Sequence, residues 1–170
     1  RNTILFGQGY TVNALQLNNV VATIANKGVK QQQSIIKSTT DANGKTTETK
    51  KGEATRVVDE KVASDMMNAM ESVAEDNKFV KVDGYRMAAK SGTAEVQGSD
   101  GTLSSIISDY SVVIPADNPR YAVTVVMKDP NGVFGGLTAG PVSAQICEFL
   151  MQKYEVPVSS PRKNAIPVTW

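Results

Sequence analysis

The strongest structural signal in this chain is a pair of β-branched runs in YSVVIPADNPRYAVTVVMK. Val, Ile, Tyr and Thr fit a pleated, half-buried sheet. The PADNPR stretch between the runs holds the Pro, Asp and Asn that turns favour. The pattern predicts a hairpin over 110–128, with strands at 110–114 and 120–128.

Three other segments carry apolar residues at the 3.6-residue spacing of amphipathic helices. Asn13 is a good N-cap for the first, with Gln16 at the capping-box position and Gly28 just past its end. Asp59 opens the second, and Pro141 suits the first turn of the third. The predicted helices are 13–27, 59–75 and 141–154. Their predicted core faces are Leu17, Val20, Val21 and Ile24; Val62, Met66, Ala69, Met70 and Val73; and Val142, Ile146, Phe149 and Leu150.

The remaining segments complete an α+β arrangement, an antiparallel sheet flanked by helices. A Thr-rich polar stretch with DANG at its centre predicts a solvated hairpin over 33–50. Residues 85–96 are predicted as a strand, followed by a long polar loop before the 110–128 hairpin. At 170 residues one domain is expected, over 1–154, with an irregular tail over 155–170.

Composition excludes several function classes. Lys and Arg total 18 against 17 Asp and Glu, so the chain lacks the basic surface of a nucleic-acid binder. The chain has no histidine, which removes serine-histidine triads, cysteine-histidine dyads and His-containing zinc sites. Cys147, the single cysteine, is predicted to be a buried small apolar residue. No cofactor and no metal site are predicted.

The segment MAAKSGTAEV places unusual chemistry on a predicted strand. Gly92 lets a ligand or another backbone approach closely. Lys90 supplies a positive charge, and the hydroxyls of Ser91 and Thr93 can donate to a carboxylate. A strand N–H near the glycine can stabilise an oxyanion. Alone, the tripeptide is also compatible with a solvated lysine before a glycine bulge.

Several blocks in order resemble the C-terminal half of the transpeptidase domain of class B penicillin-binding proteins. AAKSGTAEV resembles the family's third motif, in the set S-x-x-K, S-x-N and K-T-G. GQGYTVNALQLNNVVATIANKGV, PADNPRYAVTVVMKDP and GGLTAGPV resemble the helix before this motif, the hairpin after it and the start of the closing helix. The matching blocks span about residues 7 to 150.

The sequence also departs from the family pattern. Asn13-Ala14 replaces the usual Thr-Pro, Ser91 replaces the commoner threonine, and YSVVIP lacks an aromatic-glycine pair. No Ser-x-Asn triplet occurs in the chain. Ser34–Lys37 and Ser160–Lys163 match S-x-x-K, but in a β-prone segment and a proline-rich tail instead of at the start of a buried helix. In the family, the nucleophilic serine and the S-x-N motif lie upstream of the helix that begins here at Asn13, so the resemblance implies a nucleophile upstream of Arg1.

The resemblance implies a peptidoglycan D,D-transpeptidase that acts through an acyl-serine and binds β-lactams. It implies that Lys90 organises the proton network, that Ser91 and Thr93 hold a carboxylate, and that the Thr93 N–H is an oxyanion donor. The expected partners are stem peptides, β-lactams, the upstream part of the domain and other cell-wall or division proteins. The expected location is the outer face of the bacterial cytoplasmic membrane, with the anchor upstream. The isolated chain is expected to be inactive.

Two alternatives stay open on the sequence. The same fold could serve a β-lactam sensor, in which the acyl-enzyme is the signal. The chain could also act only as a structural or interaction fragment.

Overall fold

A computed structural model describes residues 4, 7, 9–98, 100–130, 134–163 and 165–166. In this part of the chain, helices and antiparallel strands alternate along the sequence. The helices are α1 (Ala14–Ala25), α2 (Glu60–Asp76) and α3 (Ala139–Lys153), and the strands are β1 (Val29–Gln31), β2 (Ser38–Thr40), β3 (Thr46–Glu48), β4 (Ala54–Arg56), β5 (Ala88–Gln97), β6 (Leu103–Ile114) and β7 (Tyr121–Lys128). The predicted α+β class is confirmed.

The first helix begins as its capping residues predict. The Asn13 side chain accepts from the Gln16 N–H at 2.8 Å, and the Gln16 side chain accepts from the Asn13 N–H at 2.9 Å. The helix ends at Ala25, two residues earlier than predicted, and Gly28 follows with φ +80°. A Cβ on Gly28 would lie 2.1 Å from the Val58 carbonyl oxygen. Only glycine therefore fits this turn without displacing backbone.

The second helix begins and ends one residue later than predicted. Asp59 is its N-cap and accepts from the Lys61 N–H at 2.9 Å. Asp and Asn suit such a cap because the side chain satisfies a helix N–H that has no partner within the helix. The third helix begins at Ala139, two residues before the predicted start, and ends at Lys153.

The predicted core face of α2 is largely wrong for this chain. Val62 is 54% exposed and Met66 47%. Met70 is buried as predicted, but Ala63 and Ala74 are buried in place of the others. The helix packs on β5 through this neighbouring face, which apolar spacing alone does not distinguish. In the other two helices, Val20, Ile146 and Phe149 are also exposed.

The predicted polar hairpin is the tip of a longer arm. Strands β2 and β3 pair around a turn in which the Asp41 carboxylate accepts from the N–H groups of Asn43 and Lys45. Below this tip, β1 pairs with β4. The paired region thus extends from residue 29 to residue 56, beyond the predicted 33–50.

The central sheet has the order β5-β6-β7, antiparallel throughout. The polar loop predicted over 97–109 is wrong, because β6 begins at Leu103 and pairs with β5 almost to its end. A tight turn joins the two strands, with the Gly98 N–H donating to the Thr102 carbonyl at 2.8 Å. Long-range strand pairing here outweighs the polar composition of the segment. The motif strand itself is Ala88–Gln97 instead of 85–96.

The sheet carries a hydrophobic core on each face. The larger cluster joins one face to α3 and includes Ala89, Tyr110, Val112, Cys147 and Met151. The smaller cluster joins the other face to α1 and α2 and comprises Val21, Met70, Ala88 and Val113. Cys147 is buried, as predicted. Each face of β5 is thereby fixed against a different set of helices.

The predicted irregular tail has no helix or strand where it is described, but it is bound to the fold. We call residues 155–163 the C-terminal strap. Ser159 accepts from the Arg86 N–H at 3.0 Å and donates to Asp117 at 2.7 Å. The Arg162 side chain, 5% exposed, pairs with Glu71 and Glu75 of α2. Residues 164 and 167–170 of the predicted tail lie outside the described residues.

None of the helices in the described ranges is long and apolar enough to cross a bilayer.

Candidate active-site strand

The predicted site residues lie on an edge strand. We call Lys90–Thr93 the KSGT segment; it occupies the middle of β5. In the described part of the chain β5 is paired with β6 and with no other strand, so it is an edge strand of the sheet. The edge of a sheet is a place where an extended peptide can add as a further strand.

Strand alternation divides the segment between two faces. Lys90 and Gly92 lie on one face with their register partners Ser111 and Asp109. Ser91 and Thr93 lie on the opposite face, the one that packs toward α3. Lys90 is exposed, and the other three residues are half-buried.

The Lys90 ammonium remains at the surface. It donates to the carbonyl oxygen of the adjacent Ser91 at 2.5 Å. On its face of the sheet the register partner Ser111 is buried and shares a hydrogen bond of 2.9 Å with Thr124. Asn18 of α1 in turn donates to Thr124 at 3.3 Å. The sheet surface beside Lys90 is thus polar, and hydrogen bonds connect it to α1.

Gly92 is close to a carboxylate. A Cβ on Gly92 would lie 2.0 Å from Oδ2 of Asp109. The close approach predicted for this glycine is therefore made by a side chain of the chain itself. Burial raises the pKa of Asp109 above its ordinary value, while the positive charge of Lys90 acts to lower it.

A loop crosses the opposite face at the same position. The Gly135 N–H donates to the Thr93 hydroxyl at 3.3 Å. A Cβ on Gly135 would lie 2.5 Å from the Gly92 carbonyl oxygen and 2.4 Å from that of Asp109. The segment before α3 is therefore held directly against the KSGT segment.

Five surface pockets on the described part of the chain are lined by residues outside the KSGT segment. Lys90 itself is exposed. The segment therefore lies at the surface, on a strand at the edge of the sheet.

The other candidate nucleophiles lie elsewhere. Ser34 lies between β1 and β2, where its hydroxyl donates to the Ile36 carbonyl at 3.1 Å. Ser160 lies in the C-terminal strap, so neither S-x-x-K match begins a helix. Burial raises the pKa of Cys147 to about 12, so this thiol stays protonated at neutral pH. In the described ranges no cluster of three or more Cys, Asp or Glu residues could hold a metal ion.

Two neighbours of the site, Asp109 and Gly135, are absent from the sequence-based prediction. Asp109 reaches Gly92 only because the β5–β6 register pairs these residues. A prediction of β6 as one continuous strand could have identified Asp109. Pairing the two strands outward from the turn between them brings position 109 opposite position 92.

Comparison with known proteins identifies the same domain throughout. Residues 1–150 match the family model described as the penicillin binding protein transpeptidase domain. Penicillin-binding protein PbpB of Mycolicibacterium smegmatis is 30% identical over 168 residues, covering 90% of this chain and 26% of that protein. The peptidoglycan D,D-transpeptidase FtsI of Escherichia coli is 36% identical over 152 residues, covering 86% and 24%.

Solved structures agree. A peptidoglycan synthetase from Bifidobacterium adolescentis superposes with a TM-score of 0.88 at 71% identity, covering 99% of this chain and 31% of that one. Penicillin binding protein 3 of Mycobacterium tuberculosis, complexed with ampicillin, gives 0.80 at 29% identity, covering 91% and 38%. The chain spans about a quarter of the length of the curated relatives.

Proposed function

Because the chain belongs to the penicillin-binding protein transpeptidase domain family, we propose that it is part of a serine-type peptidoglycan D,D-transpeptidase. A serine hydroxyl from upstream polypeptide bonds to the penultimate D-alanyl carbonyl carbon of a stem peptide. The C–N bond to the terminal D-alanine breaks, and D-alanine leaves with a proton. An amine of a neighbouring stem attacks the ester, forms the new amide and releases the serine.

We propose a role for each residue of the KSGT segment from its charge, hydroxyl or backbone groups. Lys90 supplies positive charge and takes part in the proton network around the nucleophile. The hydroxyls of Ser91 and Thr93 hold the terminal carboxylate of the substrate, or that of a β-lactam. The Thr93 N–H is one oxyanion donor, and Gly92 keeps the strand surface accessible.

The observation that carries the proposal is the position of the KSGT segment on a strand at the edge of the sheet. An extended peptide can align along such an edge through backbone hydrogen bonds. A stem peptide ending in D-alanyl-D-alanine is an extended peptide with a terminal carboxylate. The edge and the Lys90 charge together suit it.

We propose that the upstream part of the domain supplies a second wall of the site and the nucleophile. Large apolar side chains stand exposed on α1 and α2, among them Val20, Val62 and Met66. Exposed apolar surface of this kind marks an interaction site. The fraction of the relatives' length spanned here supports a further part of the same protein as its occupant. We also propose that the intact protein acts at the outer face of the bacterial cytoplasmic membrane, anchored upstream.

Labelling with a fluorescent penicillin tests the proposal. The intact protein, with its upstream part, is expected to acquire a covalent label that survives denaturation. Lys90→Ala is expected to reduce the labelling rate by at least about a hundredfold, because general acid–base groups contribute factors of about 10² to 10⁴. The 170-residue chain alone is expected to stay unlabelled.

Ser34→Ala is the matched control and should leave labelling unchanged. Labelling of the isolated chain at Ser34 would contradict the assignment of the nucleophile. An unlabelled intact protein would contradict the proposed reaction.

A further inference from the structure

A carboxylate of the neighbouring strand β6 lies directly beside the KSGT segment. Asp109 of β6 is the register partner of Gly92 and shares a face with Lys90. Its Oδ2 atom fills the position directly over the glycine, 2.0 Å from where a Cβ would lie. A negative charge is thus placed next to the strand whose proposed role is to bind an anion.

In the described ranges, no ion pair or hydrogen bond neutralises the Asp109 carboxylate. In the described ranges no ion pair within 4.0 Å joins Asp109 to Lys90, whose ammonium donates instead to the Ser91 carbonyl. No hydrogen bond to the Asp109 carboxylate occurs among the same residues. Lys90 nevertheless interacts with it electrostatically through space. In a half-buried position, such an interaction is screened far less than it would be in water.

We propose that Asp109 is a specificity-determining residue that limits how strongly the KSGT segment binds the carboxylate of a ligand. Its charge subtracts from the field that Lys90 presents to an incoming anion. Ligands whose carboxylate is masked or absent do not feel this penalty. Asp109 thereby lowers the preference of the site for anionic ligands. This inference rests on the function proposed above.

The test compares a β-lactam with its uncharged ester. The second-order acylation rates of benzylpenicillin and of its methyl ester are measured for the intact protein and for Asp109→Asn. The substitution is expected to raise the ratio of the acid's acylation rate to the ester's by about threefold to tenfold. This is the size expected for removing one unit charge near the bound carboxylate when the interaction is partly screened. The ester rate reports changes in the nucleophile or the fold.

Two further variants keep the test decisive. Asp109→Ser removes the charge with a smaller side chain and must shift the ratio in the same direction. Glu48→Gln removes one negative charge from the exposed β3 strand and must leave the ratio unchanged, which excludes an effect of net charge.

The outcomes separate the two proposals. Acylation of every variant with an unchanged or lowered ratio overturns the role of Asp109 and leaves the proposed function standing. Equal loss of rate with acid and ester overturns it as well, because that is the behaviour of a purely structural residue. A wild-type protein that is not acylated by either compound overturns the proposed function, and this inference with it.

Discussion

At the scale of single residues, two glycines determine the surface around the KSGT segment. Gly92 leaves space that the Asp109 carboxylate fills, and Gly135 lets a loop lie against two backbone carbonyls. The prediction of a site at Lys90–Thr93 depends only on a contiguous motif, which the sequence shows directly. Asp109 and Gly135 could not be predicted, because strand register and a loop from 42 residues further along bring them to Gly92 and Thr93.

Gly135→Ala is expected to destabilise the intact protein by about 2 kcal/mol, within the range for overpacking. The new Cβ would meet two carbonyl oxygens of a paired sheet, neither of which can move cheaply. Gly136→Ala is the matched control, since its Cβ would meet Asn77 Nδ2 at 3.1 Å, the end of a side chain. Urea denaturation measures both, and equal losses would contradict the crossing geometry.

At the scale of elements, apolar spacing and caps predict where helices lie, while long-range pairing determines the strands. The α1 and α2 caps are at the predicted residues. The segment 103–109 was expected to be a loop because of its serines, yet it extends β6. The C-terminal strap shows the same limitation, because its order comes from hydrogen bonds to distant residues and not from any periodic pattern.

Ser159→Ala removes the hydrogen bonds of its hydroxyl to the Arg86 N–H and to Asp117. It is expected to detach part of the strap and cost about 2 kcal/mol, at about 1 kcal/mol net for each hydrogen bond. Burial acts to raise the pKa of Asp117, but hydrogen bonds from Ser159 and Ser160 outweigh it and lower the pKa. Because the folded pKa is below the unfolded one, this stabilisation is present above about pH 4 and lost as the pH falls through the folded value.

Thermal melting of the intact protein between pH 7 and pH 3 measures both effects. The wild type should lose more stability on acidification than Ser159→Ala does. Ser160→Ala is the control, because Ser160 contacts Asp117 through its backbone N–H, which the substitution keeps. Identical pH profiles for wild type and Ser159→Ala would refute the role of Asp117.

At the scale of the whole molecule, a buried charge cluster joins the strap to α2. Glu71 is 4% exposed and is paired with Arg86, whose Nε lies 2.5 Å from Oε1. Arg162 approaches the same carboxylate from the strap, with Nε 3.3 Å from Oε2. The cluster connects the C-terminal strap, a helix and the segment that leads into β5.

Arg162→Met is expected to destabilise the intact protein by about 3 kcal/mol, because removing one partner of a buried ion pair leaves uncompensated charge. Arg86 remains and keeps the loss at the lower end of that range. Lys163→Met, at the exposed neighbouring position, should cost less than about 0.5 kcal/mol. Denaturant unfolding that gave the two variants the same midpoint would refute the cluster's contribution.

The C-terminal strap determines where a recombinant version of this domain should end. The family model matches residues 1–150, whereas Arg162 contacts α2 from beyond that limit. A recombinant product trimmed at the end of the family-model match would leave Glu71 with one cationic partner instead of two. Expression boundaries for this domain therefore belong after the last residue that touches the helix, and not at residue 150.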